Sequence, residues 1–274
     1  MTSTTALRAA AALVGFALAL GACSSGGSDE PSASGSAGTD TSLADIQKAG
    51  VMVVATEGTY RPFSFHEGGS GELTGFDVEV ARAVGEKLGV DVKFEETQWD
   101  AIFAGLQAGR FDTIANQVTI TPDRTKTYTF SQPYTVSNGV LVVRADDTSI
   151  ASFEDLDGKT SAQSLTSVWY DLAKEHGATV EAVEGWAQAV ALVEQKRVDA
   201  TINDKLTYLD YAKTEDASGI KVVAETTDKS ESAFPFAKGS TSLADAVDDA
   251  LAKLAADGTL TEISTKYFGA DVTH

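Results

Sequence analysis

The sequence predicts an α/β architecture with room for two lobes, and three observations carry it. At 274 residues the chain is longer than one average domain, since single domains cluster near ~100–150 residues. Hydrophobic residues make up 43% and charged residues 22%, an ordinary balance for a folded chain with a substantial core. From Ser42 onward, short apolar runs alternate with stretches of helical period. That is the pattern of a largely parallel sheet covered by helices.

Residues 51–54 read as a buried strand. Between Phe76 and Leu88, four apolar side chains (Phe76, Val80, Val84 and Leu88) recur at i+4 spacing and mark one face of a helix. A strand over 90–94, a helix over 99–108 and a strand over 111–115 follow. A second alternating set opens near Gly139, with strands over 140–143 and 160–163 and a helix over 167–176. A strand over 179–183, a helix over 186–196 and strands over 198–202 and 221–224 complete it. Phe234-Pro235-Phe236 then leads to helices over 243–256 and 260–267. No internal repeat is visible. Periodicity is compatible with two consecutive domains and with one lobe interrupted by another.

The formal net charge is −19 and the sequence pI near 4.4. Nucleic-acid binding needs basic surfaces that release counterions from phosphate, so no nucleic-acid partner is expected. A polybasic grip on anionic lipid is excluded on the same ground. Acidity of this kind serves solubility.

The first 22 residues have the plan of a signal peptide: Arg8, then an apolar run from Ala9 to Leu20. That run is too short to span a bilayer of roughly 30 Å. It ends in Leu20-Gly21-Ala22-Cys23, which resembles a bacterial lipobox, and Cys23 is the only cysteine of the chain. In lipobox proteins that cysteine is lipidated and becomes the mature N-terminus, so Cys23 is the expected anchor. Residues 23–41 are rich in Ser, Gly and Ala and suit a flexible leash. Two acyl chains at ~0.8 kcal/mol per buried CH₂ would hold it to the outer face of the cell membrane.

Five runs carry a family resemblance. They are Glu57-Gly58-Thr59-Tyr60-Arg61-Pro62-Phe63, Gly75-Phe76-Asp77-Val78-Glu79, and Trp99-Asp100-Ala101-Ile102-Phe103-Ala104-Gly105-Leu106. Thr119-Ile120-Thr121-Pro122-Asp123-Arg124 leads into Phe130-Ser131-Gln132-Pro133-Tyr134, and Asp199-Ala200-Thr201-Ile202-Asn203-Asp204 comes last. In this order they resemble the amino-acid-binding branch of bacterial solute-binding proteins of ABC importers. The resemblance implies a type II periplasmic-binding-protein-like fold, two α/β lobes joined by two hinge strands. Lobe one would be 42–136 plus 233–274 and lobe two 137–232, with crossings near 136–138 and 230–232. The implied partners are a free amino acid, a membrane permease, and the bilayer through acylated Cys23. A monomer is expected, without cofactor.

A free amino acid presents a carboxylate, an ammonium and a side chain. Burying both charges is costly unless each is paired. Arg124 is the candidate for the carboxylate, because a guanidinium offers a planar two-pronged match. Thr121 and Pro122 before it read as an N-cap and first helical residue. Thr119 fits the adjacent donor position, and Asn116 and Gln117 line the same strand exit. The resemblance makes Asp204 the counter-ion for the ammonium, although an aspartate between a strand and a helix is also a good N-cap. It makes Tyr60 and Trp99 the aromatic walls around the ligand side chain. Ser164, Thr166 and Ser167 occupy the strand-to-helix turn of lobe two, where helix amides could complete the carboxylate site. The runs 162–167 and 115–118 resemble the L-cystine-binding subgroup. Relatives there carry Asn after the Thr-Ser pair, where this chain has Val168.

The rival class is an enzyme on the same fold, such as a cyclohexadienyl or arogenate-type dehydratase. Such an enzyme needs a general acid in the cleft, and Glu57 is the position to watch. No Ser-His-Asp order, His-Glu-x-x-His segment or phosphate loop appears. The three histidines, His66, His176 and His274, are scattered and offer no metal site. An amino-acid sensor would use the same pocket.

Overall fold

The computed structural model describes residues 39–273. The signal peptide, Cys23 and most of the expected leash lie outside these residues. No helix within them is long and apolar enough to cross a membrane.

Two five-stranded sheets organise the chain. The first runs, edge to edge, Asp91–Glu96, Val51–Thr56, Thr113–Ile114, Pro235–Ala237 and Tyr128–Phe130. The second runs Thr179–Ala182, Thr160–Gln163, Ala200–Asp204, Gly139–Arg144 and Ile220–Glu225. The strand 235–237 inserts between 113–114 and 128–130, so the chain leaves the first lobe, builds the second and returns. One lobe interrupted by another is therefore the arrangement. Two short strands lie between the sheets and pair antiparallel, Thr135–Ser137 with Ser230–Ser232.

Each sheet is covered on both faces, which explains why its inner strands Val51–Thr56 and Gly139–Arg144 are apolar runs rather than alternating ones. On one face of the first sheet, Phe76, Val80 and Val84 from the helix Phe76–Leu88 pack with Val247 and Leu251 of the helix Thr241–Ala256. On the other, Ile102 and Leu106 of the helix Trp99–Gln107 meet Ala55 and Ile114. In the second sheet, Val140 and Val142 face the helix Trp186–Glu194, while Leu141 and Val143 face Leu156 and Ala173. The two-residue period of a strand sends these neighbours to opposite sides. The helix Phe76–Leu88 must start on a glycine: Gly75 has φ 128°, and a Cβ there would collide with the Phe63 carbonyl.

Two strands differ from the sequence expectation. The strand expected over 111–115 shrinks to Thr113–Ile114, because the Asp112 carboxylate takes the Val53 amide at 2.7 Å in place of a ladder bond. The strand expected over 198–202 runs Ala200–Asp204 instead. Asp199 is spent on the turn, its Oδ2 accepting from Thr160 N and Oγ1 at 2.8 Å each. This shift carries Asn203 and Asp204 to the strand's carboxyl end.

Candidate functional site: the cleft between the lobes

In open α/β sheets, ligands bind beyond the carboxyl ends of the parallel strands. Both sheets direct those ends toward one cleft, enclosing about 660 Å³ with its mouth included.

Lobe one supplies its wall from two strand exits. After Val51–Thr56 come Glu57, Thr59 and Tyr60; after Thr113–Ile114 come Asn116, Gln117 and Thr119. Asn116 ties the exits together: its Nδ2 donates to Glu57 Oε2 at 2.6 Å, and its Oδ1 accepts from the Glu57 amide at 2.9 Å. Loss of solvent pushes the Glu57 carboxyl up to about 7; the Asn116 bond opposes this, while Asp100 and Glu184 add to it. Gln117 has φ 51°, a left-handed backbone rare for a residue with a Cβ. Asp77 holds it there, accepting from Gln117 N at 2.7 Å and Nε2 at 2.6 Å. Burial lifts the Asp77 carboxyl to about 7 against those bonds.

Arg124 stands in a six-residue helix, Pro122–Thr127, whose cap Thr121 accepts from the Arg124 amide. Its guanidinium lies 5.0 Å from the Phe103 ring centroid and 5.7 Å from that of Trp99. Its Nη1 donates to Thr119 O at 2.9 Å and its Nη2 to Thr166 O at 3.0 Å, so one side chain grips both lobes. Burial lowers its pKa to about 10, which leaves it charged at neutral pH.

Further bonds cross the cleft. Tyr60 Oη donates to Asn203 Oδ1 at 3.0 Å and accepts from Thr207 Oγ1 at 3.2 Å. Thr166 N and Oγ1 both donate to Asp100 Oδ1, at 3.1 and 3.0 Å. Arg61 Nε meets Asp210 Oδ2 at 3.2 Å. Inside, Trp99 Nε1, Gln117 Oε1 and Trp186 Nε1 are buried without hydrogen-bond partners. Unsatisfied buried polar atoms are rare in folded proteins, and these three belong to residues that line the cleft.

Of the residues singled out in the sequence, Tyr60, Trp99, Asn116, Gln117, Thr119, Arg124, Ser164 and Ser167 line this cleft. Ser167 Oγ also caps the helix Val168–Glu175, accepting from Tyr170 N at 3.1 Å. Thr166 and Asp204 are not among the lining residues: one stands at the rim and the other directly behind the wall. Thr166 is turned to the rim by its bonds to Asp100. Asp204 is 4% exposed and sits one residue behind the lining Asn203. Its Oδ1 accepts from Ser137 Oγ at 2.7 Å and from Leu206 N at 2.8 Å, so it caps the helix Lys205–Thr214. Its Oδ2 takes neither bond. Burial raises its carboxyl to about 6, with both bonds opposing.

Lobe two contributes lining residues that the sequence did not single out: Gln163, Trp169, Val183, Trp186 and Asn203. A usable signal existed for one of them. Trp186 opens a helix directly after a strand and a glycine, much as Trp99 opens one in lobe one.

Two α/β lobes joined by paired strands, closed over unpartnered polar atoms and one guanidinium, define a solute-binding protein. The chain belongs to the bacterial extracellular solute-binding proteins, family 3, whose model matches residues 52–270. It is 50% identical over 230 residues to the L-cystine-binding protein TcyA of Bacillus subtilis (strain 168), covering 84% of this chain and 85% of that one. Among solved structures, the L-cystine solute receptor of Neisseria gonorrhoeae, in its unliganded open conformation, shares 46% identity. It covers 85% of this chain and 99% of its own at a TM-score of 0.57. An ancestral arginine-binding protein bound to arginine shares 35% identity, covers 80% and 99%, and reaches 0.75. The hydrogen bonds that cross the cleft hold the two lobes of this chain together over it.

Proposed function

We propose that this chain captures a free amino acid outside the cell and delivers it to the permease of an ABC-type importer, with L-cystine as the ligand. One observation carries the reading: a closed interlobe cleft holds one guanidinium, buried carboxylates and unpartnered polar atoms, the complement of a zwitterion. Relatives named for amino-acid and L-cystine binding support it.

In this reading the ligand carboxylate displaces the carbonyls now on Arg124, and a guanidinium pairs with a carboxylate through two charge-assisted bonds. Thr119 and the Ser164–Ser167 turn add donors from each side. The ammonium reaches Asp204 Oδ2, and Trp99 and Tyr60 flank the side chain. Hinge closure about the paired strands 135–137 and 230–232 then buries the ligand. Cleavage before Cys23 and lipidation of its thiol hold a monomer to the outer face of the membrane, as the Leu-Gly-Ala-Cys run suggests.

Titration calorimetry of purified protein against the common amino acids and L-cystine tests this directly. Saturable heat with L-cystine is the expected result; heat with none of them overturns the reading. Glu57 is the one group an enzyme on this fold would use as an acid. Incubation with prephenate or arogenate is expected to give no product, and turnover would make the chain a dehydratase.

A further inference from the structure

The helix Trp186–Glu194 begins at the cleft without a cap. Gly185 holds the N-cap position, no side chain accepts there, and no acidic residue stands in the first turn. The first bond of the helix runs from Ala189 N to Gly185 O at 3.1 Å. The amides of Trp186, Ala187 and Gln188 are thus the free donors that any helix start leaves over. Gly185, Trp186 and, one turn on, Ala189 all line the cleft, so this end of the helix faces the ligand space.

A second, independent feature is found at the same place. Trp186 is 9% exposed, and its indole Nε1 is buried with no hydrogen-bond partner. A helix start favours an anion by its dipole and its amides, and an indole N–H can only donate. Both ask for an acceptor, and the helix start favours one that bears negative charge. Arg124 already serves one carboxylate, and it belongs to the other lobe. Across the cleft is Glu57, a carboxylate that lines it beside Asn116.

We propose that the start of the helix Trp186–Glu194, together with Trp186 Nε1–H, is a second carboxylate subsite for a ligand with two amino-acid heads, whose second ammonium faces Glu57. This deepens the functional reading above and rests on it. L-cystine has that form: two identical heads joined by a disulfide. A one-headed amino acid held at Arg124 leaves the Trp186 donor and the helix start unpaired. Selectivity for the two-headed ligand follows from that cost rather than from size alone.

The test compares two probes, L-cystine and S-methyl-L-cysteine, which keeps the sulfur and one head. Trp186→Phe removes the N–H while keeping a ring. Trp186 also borders the adjoining groove of Arg61, Asp210 and Tyr211, which a smaller residue would join to the cleft. In the full chain, this substitution is expected to weaken L-cystine binding on the order of 10-fold or more, the scale of losing a hydrogen bond to a charged group. Binding of S-methyl-L-cysteine, which has no second carboxylate, should weaken by a clearly smaller factor than that of L-cystine. Equal losses for both probes, or no loss for L-cystine, overturn the inference and leave the functional reading standing. Wild-type protein that binds S-methyl-L-cysteine as tightly as L-cystine does the same. Wild-type protein that binds neither probe nor any other amino acid overturns both.

A measurement on the wild type removes any dependence on the variant's folding. The chain has three tryptophans, so its indole ¹H–¹⁵N spectrum is simple. The Trp186 signal is expected to move downfield with L-cystine and to stay in place with S-methyl-L-cysteine. The Tyr211 ring meets Trp186 nearly edge-on, at 5.7 Å and 80°. A Trp186 signal unmoved by L-cystine would mean that its N–H points to that ring, and the proposal would fall.

Discussion

The two lobes build one cleft from different materials. Lobe one presents polar side chains already bonded to their neighbours: Asn116 to Glu57, Gln117 to Asp77, Arg124 to the Thr119 carbonyl. Lobe two presents two indoles, Val183, a glycine and a helix start whose amides lack intrahelical acceptors, beside the polar Gln163, Ser164, Ser167 and Asn203. Most of the lobe-one wall is therefore preorganised, which reduces the cost of ordering on binding, while lobe two adds a helix start whose amides gain partners when a ligand arrives. The difference suggests a division of labour between residues: Arg124 and Asp204 hold the head common to amino acids, and Glu57 and the Trp186 helix start distinguish among ligands.

The largest expected effect comes from breaking the lobe-one wall. Arg124→Ala removes the one cation that lines the cleft among the described residues and is expected to weaken L-cystine binding roughly 100- to 1,000-fold, as for a truncated buried charge pair. Arg124→Lys should recover little, because an ammonium cannot copy the planar fork. Calorimetry that finds near-wild-type affinity in either variant would move the carboxylate site elsewhere. Asp204→Asn comes next. Asparagine caps helices as well as aspartate does, so the melting temperature should hold. Loss of the charge that the ammonium meets should weaken binding by about 30-fold or more. Unchanged affinity would mean that Asp204 only caps its helix.

The buried carboxylates add a pH dependence with a definite sign. Asp77, Glu57 and Asp204 are raised to about 7, 7 and 6, above the ~4 of exposed acids. Ionisation is then disfavoured in the folded state, so ligand-free stability should fall as pH rises from ~4 to ~7 and level off above. A ligand ammonium favours the ionised form, so L-cystine affinity should run the opposite way, rising across that interval with release of protons. Glu57→Gln should reduce the proton release measured by calorimetry in buffers of different ionisation enthalpy. It should also weaken L-cystine binding by about 10-fold, a charge-assisted bond's worth. Proton release identical to wild type would remove Glu57 from the ligand's surroundings.

The sequence was readable where motif and period coincide. Phe76–Leu88 is recovered to the residue because its i+4 apolar stripe is unbroken and a glycine stands at each end. Asn116, Gln117, Thr119 and Arg124 were legible as polar residues clustered after a strand, and Tyr60 and Trp99 through the family resemblance. The lobe-two wall was not. An indole at the start of a helix reads as core, and Trp169 is half core: Gly139 is required because a Cβ there would collide with the Trp169 ring. Asn203 was hidden by the strand shift that Asp199 imposes. Nothing in the residue types announces the left-handed Gln117, because the carboxylate that fixes it lies 40 positions away in sequence. The rim position of Thr166 was hidden for a related reason: it is set by Asp100 of the other lobe, a partner visible only in the fold.

That last contact gives the smallest and most discriminating prediction. Asp100→Ala deletes both bonds to Thr166 at the rim and touches no cleft donor. The two bonds should be worth a few-fold in affinity, about 3- to 10-fold, as for neutral donors on an exposed acceptor. They act on the balance between open and closed lobes rather than on the ligand, and a ligand binds in proportion to the closed fraction. The loss should therefore be the same for L-cystine and for S-methyl-L-cysteine, and small-angle scattering should show a more open ligand-free protein. A loss confined to one ligand would place Asp100 in recognition and collapse the contrast between contacts that close the cleft and contacts that select its ligand. A uniform loss, set beside a selective one from Trp186→Phe, would separate the energy that closes the cleft from the energy that chooses what it closes on.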